Sequence, residues 1–324
     1  MTWKKYGWCL LASALLMNCK KDDGIEVTII PPRDLAEVAA EDQATIQEFL
    51  NTHFYNYDEF ASPPADFDYK IRIDTIAGAN ADKTPLSADI QSMQITVSPD
   101  QLNLDQTGDV VHTLYYLEAD TPGGDSRETP TIADSVLVTY KGSLLSGLDF
   151  DGTFSQPVWF DLARIQGPGG GARGFTEALA HFKVATGVVA NPDGTLMAEN
   201  PGSGLMIMPS GLAFFGSASG SIPAYSPLIF TVELFGLKRT DHDGDGVPSI
   251  DEDVNGDGYL FNDNTDQSDE EKQFGGLLTV NYLDTDDDGD GTRTRDEIVI
   301  TDGVVSYPDA DGDGTPDYLD PDTK

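Results

Sequence analysis

Apolar and polar residues alternate most regularly between Asp134 and Leu237, and the chain is organised around that stretch. Val136-Leu137-Val138-Thr139-Tyr140-Lys141-Gly142 reads as a β-branched strand running into a glycine-containing turn, after which Asp149-Phe150-Asp151-Gly152 opens the next strand. Short runs of the same kind follow at Met206-Ile207-Met208-Pro209, Gly211-Leu212-Ala213-Phe214, Ser221-Ile222-Pro223 and Leu228-Ile229-Phe230-Thr231-Val232-Glu233-Leu234. Between the two groups, Arg173-Gly174-Phe175-Thr176-Glu177-Ala178-Leu179 breaks the alternation. Phe175, Leu179 and Phe182 recur at i, i+4 and i+7, the single apolar stripe of a short helix.

Upstream, residues 34 to about 51 predict a helix, since Leu35, Val38, Ile46, Phe49 and Leu50 keep partial i, i+3, i+4 spacing. Asp34 is placed to cap its start, with Glu37 three residues on to make the reverse contact of a capping box. The aromatics Phe54, Tyr55, Tyr57 and Phe60 suit packing, because Tyr buries area while keeping a polar handle. Strand-like runs follow at Tyr69–Ile76, Met93–Val97 and Val110–Glu118, and Thr121-Pro122-Gly123-Gly124-Asp125 is a turn. His53 and His112 have no Cys or carboxylate at ligand spacing, so residues 25–125 offer no catalytic constellation.

The N-terminus changes the picture from a plain globular chain to an exported one. Lys4 and Lys5 form a basic start, and the apolar run from Gly7 to Met17 is too short to span a bilayer stably, so residues 1–18 read as a cleaved signal peptide. Leu15-Leu16-Met17-Asn18-Cys19 looks like a lipobox and resembles that of Bacteroidetes lipoproteins. The resemblance implies that Cys19 receives the lipid and that Cys19-Lys20-Lys21-Asp22-Asp23 directs the protein to the outer membrane, on its cell-surface or periplasmic side. Residues 19–33 form a tether, with a short strand at Ile25–Ile30 stopped by Pro31-Pro32. With Cys9 removed and Cys19 acylated, no thiol remains for a disulfide.

Taken together, the 129–239 runs resemble an FKBP-type peptidyl-prolyl cis-trans isomerase over about a third of the chain. The resemblance implies an α+β fold, an antiparallel sheet wrapped around one short helix, here following an N-terminal helix-plus-strands segment at 34–125. It implies a cavity for prolyl residues lined by Tyr140, Phe150, Asp151, Phe160, Phe175, Ile222 and Phe230, with Tyr140 and Asp151 as its polar contacts. Phe175 stands where the family usually has Trp, and Phe214 where it usually has a Tyr hydroxyl. Proline-containing polypeptides would be the substrates, and no cofactor is needed for catalysis. Glycine-rich insertions at Gly167–Gly171 and Val188–Pro201 are expected as loops. A catalytically weak binding or adhesion lipoprotein, or a scaffold on a calcium-stabilised stalk, are the alternative readings.

Charge adds the last segment. The net charge is -37, and residues 240–324 hold 26 Asp and Glu against 4 Lys and Arg, which disfavours nucleic acid and anionic lipid as partners. Asp241, Asp243 and Asp245 with Glu252 fit the twelve-residue calcium loop, as do Asp286, Asp288 and Asp290 with Glu297. Degenerate copies have Asp253, Asn255 and Asp257, ending in Asn264, and Asp309, Asp311 and Asp313, ending in Asp320. The seventh-position carbonyls of Val247, Thr292 and Thr315 complete the ligand sets. Pro248, Pro308 and Pro316 argue against flanking helices, and the spacing resembles thrombospondin type 3 repeats, in which bound Ca2+ stands in for a hydrophobic core.

Overall fold

The spacing after Asp34 becomes helix α1 (Leu35–Thr52), whose buried side includes Leu35, Val38, Ile46, Phe49 and Leu50. Asp34 Oδ1 accepts from the Glu37 N–H at 2.8 Å, the expected cap, whereas Glu37 turns outward and accepts from Arg33 at 2.9 Å. The protein is described by a computed structural model covering residues 31–124, 126–153, 156–167, 172–268, 270 and 279–323. The signal peptide, the strand at Ile25–Ile30, Cys19 and nearly all of the tether lie outside those residues. Among the described residues, no helix is long and apolar enough to cross a membrane.

After α1 come β1 (His53–Tyr55), α2 (Tyr57–Ala61) and β2 (Ile73–Thr75), with β1 and β2 paired antiparallel. The aromatics expected to pack do so: Phe54 and Phe60 are buried, and Phe60 meets Phe67 edge-on at 4.9 Å. Strands β3 (Gln91–Val97) and β4 (Val110–Glu118) follow, then β5 (Ser135–Leu144), β6 (Asp149–Gly152), β7 (Val158–Asp161) and the short helices α3 (Leu162–Ile165) and α4 (Arg173–Leu179). A hairpin, β8 (Gly187–Ala190) and β9 (Leu196–Glu199), precedes β10 (Gly202–Met208) and β11 (Leu228–Lys238). The second glycine-rich insertion is therefore a paired hairpin rather than a loop, turned by the Asn191 N–H donating to the Thr195 carbonyl at 2.8 Å and the Asn191 carbonyl accepting from the Gly194 N–H at 2.9 Å.

Seven strands form one antiparallel sheet in the order β3-β4-β10-β11-β5-β6, with β7 paired to the other end of β5. The fold is α+β, as expected, but two strands from the N-terminal segment lie in the same sheet as the later ones. Pairing of Tyr115–Glu118 with Gly204–Ile207 carries the sheet across the turn near residue 125. Period-two alternation explains its two cores. Val136, Val138, Met206, Met208, Val232 and Leu234 face α4 and Phe182, while Leu205, Ile207 and Ile229 face Ile46, Phe49 and Leu50 of α1. Every residue of β10 is buried because both faces are covered.

His112 on β4 is 2% exposed, and neither ring nitrogen has a hydrogen-bond partner. Burial lowers its pKa from 6.5 to about 4. The unfolded chain therefore binds a proton that the folded one does not, and stability should fall as pH drops from 6.5 towards 4. The loss is at most about 3 kcal/mol. Urea unfolding of the protein and of His112→Leu at both ends of that range checks this: the variant should lose less stability on acidification, and equal losses would clear His112 of the effect.

The acidic segment packs back on the turn that precedes β5 and on α3. It contains α5 (Thr294–Glu297) and the hairpin β12 (Val299–Thr301) and β13 (Val304–Ser306). Leu260 and Tyr282 are buried against Ile132, Ala133 and Ala163, and a second cluster joins Val247, Ile298 and Tyr318. The segment thus shares one small apolar cluster with the rest of the chain and holds a second of its own, a departure from an arrangement held by cations alone.

Candidate active site and acidic loops

The rings singled out in the sequence come together between α4 and the strands β5, β6, β7 and β11. Phe175 is central: its ring lies 5.6 Å from Phe160, 5.2 Å from Phe230 and 6.4 Å from Tyr140, each edge-on. Phe150 meets Phe230 edge-on at 5.5 Å, and Tyr140 lies 5.4 Å from Phe160. Such edge contacts fix ring orientation beyond area burial alone. Phe175, Ile222 and Phe230 are nearly closed off, Tyr140, Phe150 and Phe160 are half-buried, and Asp151 is exposed. Phe214 is half-buried and packs on the same core.

The polar edge is a single hydrogen bond, Tyr140 Oη donating to Asp151 Oδ2 at 2.7 Å. Burial and the bond to Asp151 push the phenol up to about 12, so it remains a donor at neutral pH. Opposite Asp151 across the ladder stands Gly142, and a Cβ there would sit 2.5 Å from the Phe150 ring and 2.9 Å from Phe230. Its missing side chain is what lets the two rings close over β5.

The loop carrying Phe214 and Ile222 is held from the N-terminal segment, which composition gave no reason to connect with it. Asp42 of α1 is buried, and its Oδ2 accepts from the Ser210 N–H at 2.7 Å and the Ser210 hydroxyl at 2.6 Å. Arg33 donates its N–H to Tyr225 Oη at 3.0 Å and lays its guanidinium over that ring. A separate cavity of about 490 Å³ opens on the other side of β5 and β11, between them and the β1–β2 pair, lined by His53, Lys70, Arg72, Thr139, Lys141 and Glu233 among others.

In the acidic segment four loops share one backbone design. Their glycines at the fourth and sixth positions, Gly244 and Gly246, Gly256 and Gly258, Gly289 and Gly291, Gly312 and Gly314, all have positive φ, which side chains rarely adopt. Asp241 accepts from the Gly244 and Gly246 N–H groups at 2.7 and 3.1 Å, and Asp309 accepts from Gly312 and Gly314 at the same distances. Asp241, Asp243 and Asp245 bring ligand oxygens within 4.8 Å of one another, as do Asp286, Asp288 and Asp290, and Asp309, Asp311 and Asp313. Glu252 and Glu297, the twelfth residues, are buried with both carboxylate oxygens unpartnered. Burial and neighbouring carboxylates push Glu252 up to about 10 and Glu297 up to about 7. Oxygen donors in this number suit a hard divalent cation.

The degenerate loops depart from the pattern. The second keeps the shared turns, Asp253 Oδ2 accepting from the Gly258 N–H at 3.0 Å and Asn255 and Asp257 from the Asp257 and Tyr259 N–H groups at 2.8 Å, as Asp243 and Asp245 do in the first, and it departs at the twelfth position. Asn264 donates to Glu270 and to the Thr279 carbonyl, and Asp263 is the buried residue beside Asn255 instead, with Oδ2 unpartnered. In the fourth, Asp320 accepts from Asp322 and Thr323.

Arg173, in the α4 run, has a role that its sequence position did not announce. It is buried and donates to Glu177 at 3.1 Å, to the Thr96 carbonyl and Gln101 at 3.1 Å, and to the Asp257 carbonyl at 2.6 Å. Its guanidinium also stacks over Tyr259. The helix bearing Phe175 is thereby joined to the second acidic loop. An i, i+4 Arg–Glu pair on a helix buried all round was the available signal.

A 113-residue segment is 30% identical to the FKBP-type peptidyl-prolyl cis-trans isomerase FkpA of Escherichia coli K12, covering 34% of this chain and 34% of that protein. That segment is homologous to FKBP-type isomerases. The chain spans about a third of the length of the curated relatives it matches. Among solved structures, a peptidyl-prolyl cis-trans isomerase from Pseudomonas syringae pv. tomato aligns at 25% identity over 39% of this chain and 76% of that one, with a TM-score of 0.29. The E. coli FkpA crystal structure aligns at 29% over 39% and 48%, with a TM-score of 0.27. A family model described as BamM C-terminal matches residues 242–307, which include the second and third acidic loops and all of the first but Asp241.

Proposed function

We propose that this protein is a peptidyl-prolyl cis-trans isomerase acting on exported polypeptides, anchored at the outer membrane by a lipid on Cys19 and carrying a calcium-binding acidic segment. The observation that carries the isomerase reading is the meeting of Phe160, Phe175, Phe230 and Tyr140 beside Asp151 on a segment homologous to FKBP-type enzymes.

Rotation about an X-Pro bond is slow because amide resonance is lost at the twisted geometry, a barrier of roughly 18 to 20 kcal/mol. An aromatic hollow receives the prolyl ring and strips water from the preceding carbonyl, whose charge-separated planar form needs that water more than the twisted form does. The Tyr140–Asp151 pair, already oriented, offers fixed polar groups at the edge of the hollow and so favours the twisted state without reorganising. No nucleophile or metal takes part in this scheme.

A protease-coupled assay with a proline-containing peptide tests it. Asp151→Ala is expected to lower kcat/KM about 10- to 100-fold, the loss of a hydrogen bond to a charged group worth roughly 1.5 to 3 kcal/mol. Wild-type rates in both Asp151→Ala and Tyr140→Phe would remove the hollow from the reaction. The second reading, a binding module of the same fold, draws on Phe214, which has no hydroxyl to offer a peptide carbonyl, a deficit of about 0.5 to 1.5 kcal/mol. Peptide binding without turnover would select it.

For the acidic segment, the fit to calcium rests on the unpartnered, buried oxygens of Glu252 and Glu297 beside the Asp triplets. Asp241, Asp243, Asp245 and Glu252 would hold one cation and Asp286, Asp288, Asp290 and Glu297 another, with Asp253, Asn255, Asp257, Asp309, Asp311, Asp313 and Asp320 in weaker copies. Bound calcium would neutralise carboxylates that otherwise repel one another. The reading of residues 1–19 as a lipoprotein signal is supported by Lys4, Lys5, the apolar run and the position of Cys19. Metabolic labelling with a fatty acid, lost in Cys19→Ala, checks it.

A further inference from the structure

We propose that Asp287 is a metal ligand and that, with Asp245 and Glu252, it forms a cation site clasping the first acidic loop to the third. The proposal rests on the reading of this segment as calcium-binding, and extends it to a residue outside the loop pattern.

Asp287 occupies the second position of its loop, between Asp286 and Asp288. In the other three loops that position holds His242, Val254 and Ala310, so a carboxylate stands there once in four repeats. The loop pattern gives the second residue no ligand role. Yet Asp287 is 1% exposed, and its carboxylate lies within 4.8 Å of ligand oxygens of both Asp245 and Glu252, which are 2% and 1% exposed. It has been turned out of its own loop and into the neighbouring one.

Each carboxylate is oriented so as to leave oxygen free at that meeting point. Asp245 Oδ1 accepts from the Val247 N–H at 2.7 Å, and Asp245 Oδ2 has no partner. Asp287 Oδ2 accepts from the Thr294 hydroxyl at 3.0 Å, that same hydroxyl accepts from the Asp287 N–H at 3.1 Å, and Asp287 Oδ1 has no partner. Glu252 has neither oxygen paired. Among the described residues, no ion pair ends on any of the three. Three buried carboxylates aimed at one another without a counter-charge are costly, and a cation between them removes both the repulsion and the unmade bonds. The donors are oxygen alone, which selects a hard divalent ion such as calcium over zinc or copper.

Such a site makes the order of the first loop depend on the third. The full chain, stripped with chelator, is titrated with calcium chloride by calorimetry, and its melting is followed by circular dichroism with and without calcium. Asp287→Asn, which keeps the shape and the Thr294 bond, is expected to weaken one binding event at least about tenfold, and Asp287→Ala to delete it. Both should lose part of the calcium-dependent rise in Tm. Asp302→Asn, an equal change of charge at an exposed turn, should titrate like the wild type. If both Asp287 variants bind calcium with wild-type stoichiometry and affinity, the clasp is overturned while calcium binding by the loops stands. If the wild-type chain takes up no calcium, the clasp and the reading beneath it fall together.

Discussion

Arg173→Met is expected to destabilise the protein by about 3 to 5 kcal/mol, the usual result of stranding one partner of a buried ion pair. The stranded group is Glu177, 8% exposed, whose carboxyl burial already pushes above the ordinary range in spite of Arg173 beside it. Methionine supplies apolar volume but none of the donors that reach Glu177, Thr96, Gln101 and Asp257. Urea unfolding at neutral pH measures the loss, and the double change Arg173→Met with Glu177→Leu should recover much of it, since a buried pair can be exchanged for apolar residues at little net cost. A single-variant loss below about 1 kcal/mol would show that the pair is solvated in solution. Because α4 also positions Phe175, Arg173→Met should lower the isomerase turnover proposed above at temperatures where the protein is still folded.

Chelation is expected to have a comparable effect. A site with a dissociation constant near 0.1 mM, within the range of extracellular calcium modules, gains about 2.7 kcal/mol at a hundredfold excess of calcium. For a chain of this size that corresponds to roughly 4 °C in Tm per site. Melting curves in about 10 mM calcium and in excess chelator should therefore separate clearly, with the acidic segment becoming protease-sensitive first. Superimposable curves would mean that Glu252 and Glu297 are satisfied by protons and not by metal.

The parts of the fold that local chemistry dictates were legible in the sequence. Alternation gave β5, β10 and β11, and Asp34 marked the start of α1, but of the i, i+4, i+7 stripe only Phe175 and Leu179 lie on α4, with Phe182 beyond its end. Glycines that need positive φ marked all four acidic turns. The ring cluster was expected from a family resemblance, and the rings do lie together. What could not be read were pairings between distant segments. Nothing local says that β4 will lie beside β10, that Asp42 will hold Ser210, or that Asp287 will leave its own loop, because each depends on tertiary contacts and not on spacing. Glu37 shows the reverse error: its capping-box position was right, but a nearby Arg33 took the carboxylate.

The place of β4 in the sheet also sets a timetable for synthesis. Residues 110–118 leave the ribosome long before 202–208, the strand that covers their open edge. At about 5 to 20 residues per second the gap is on the order of ten seconds. During that interval the β3–β4 pair carries Tyr115 and Leu117 without β10 beside them. An unfinished edge of this kind invites pairing with other chains until β10 arrives to cover it.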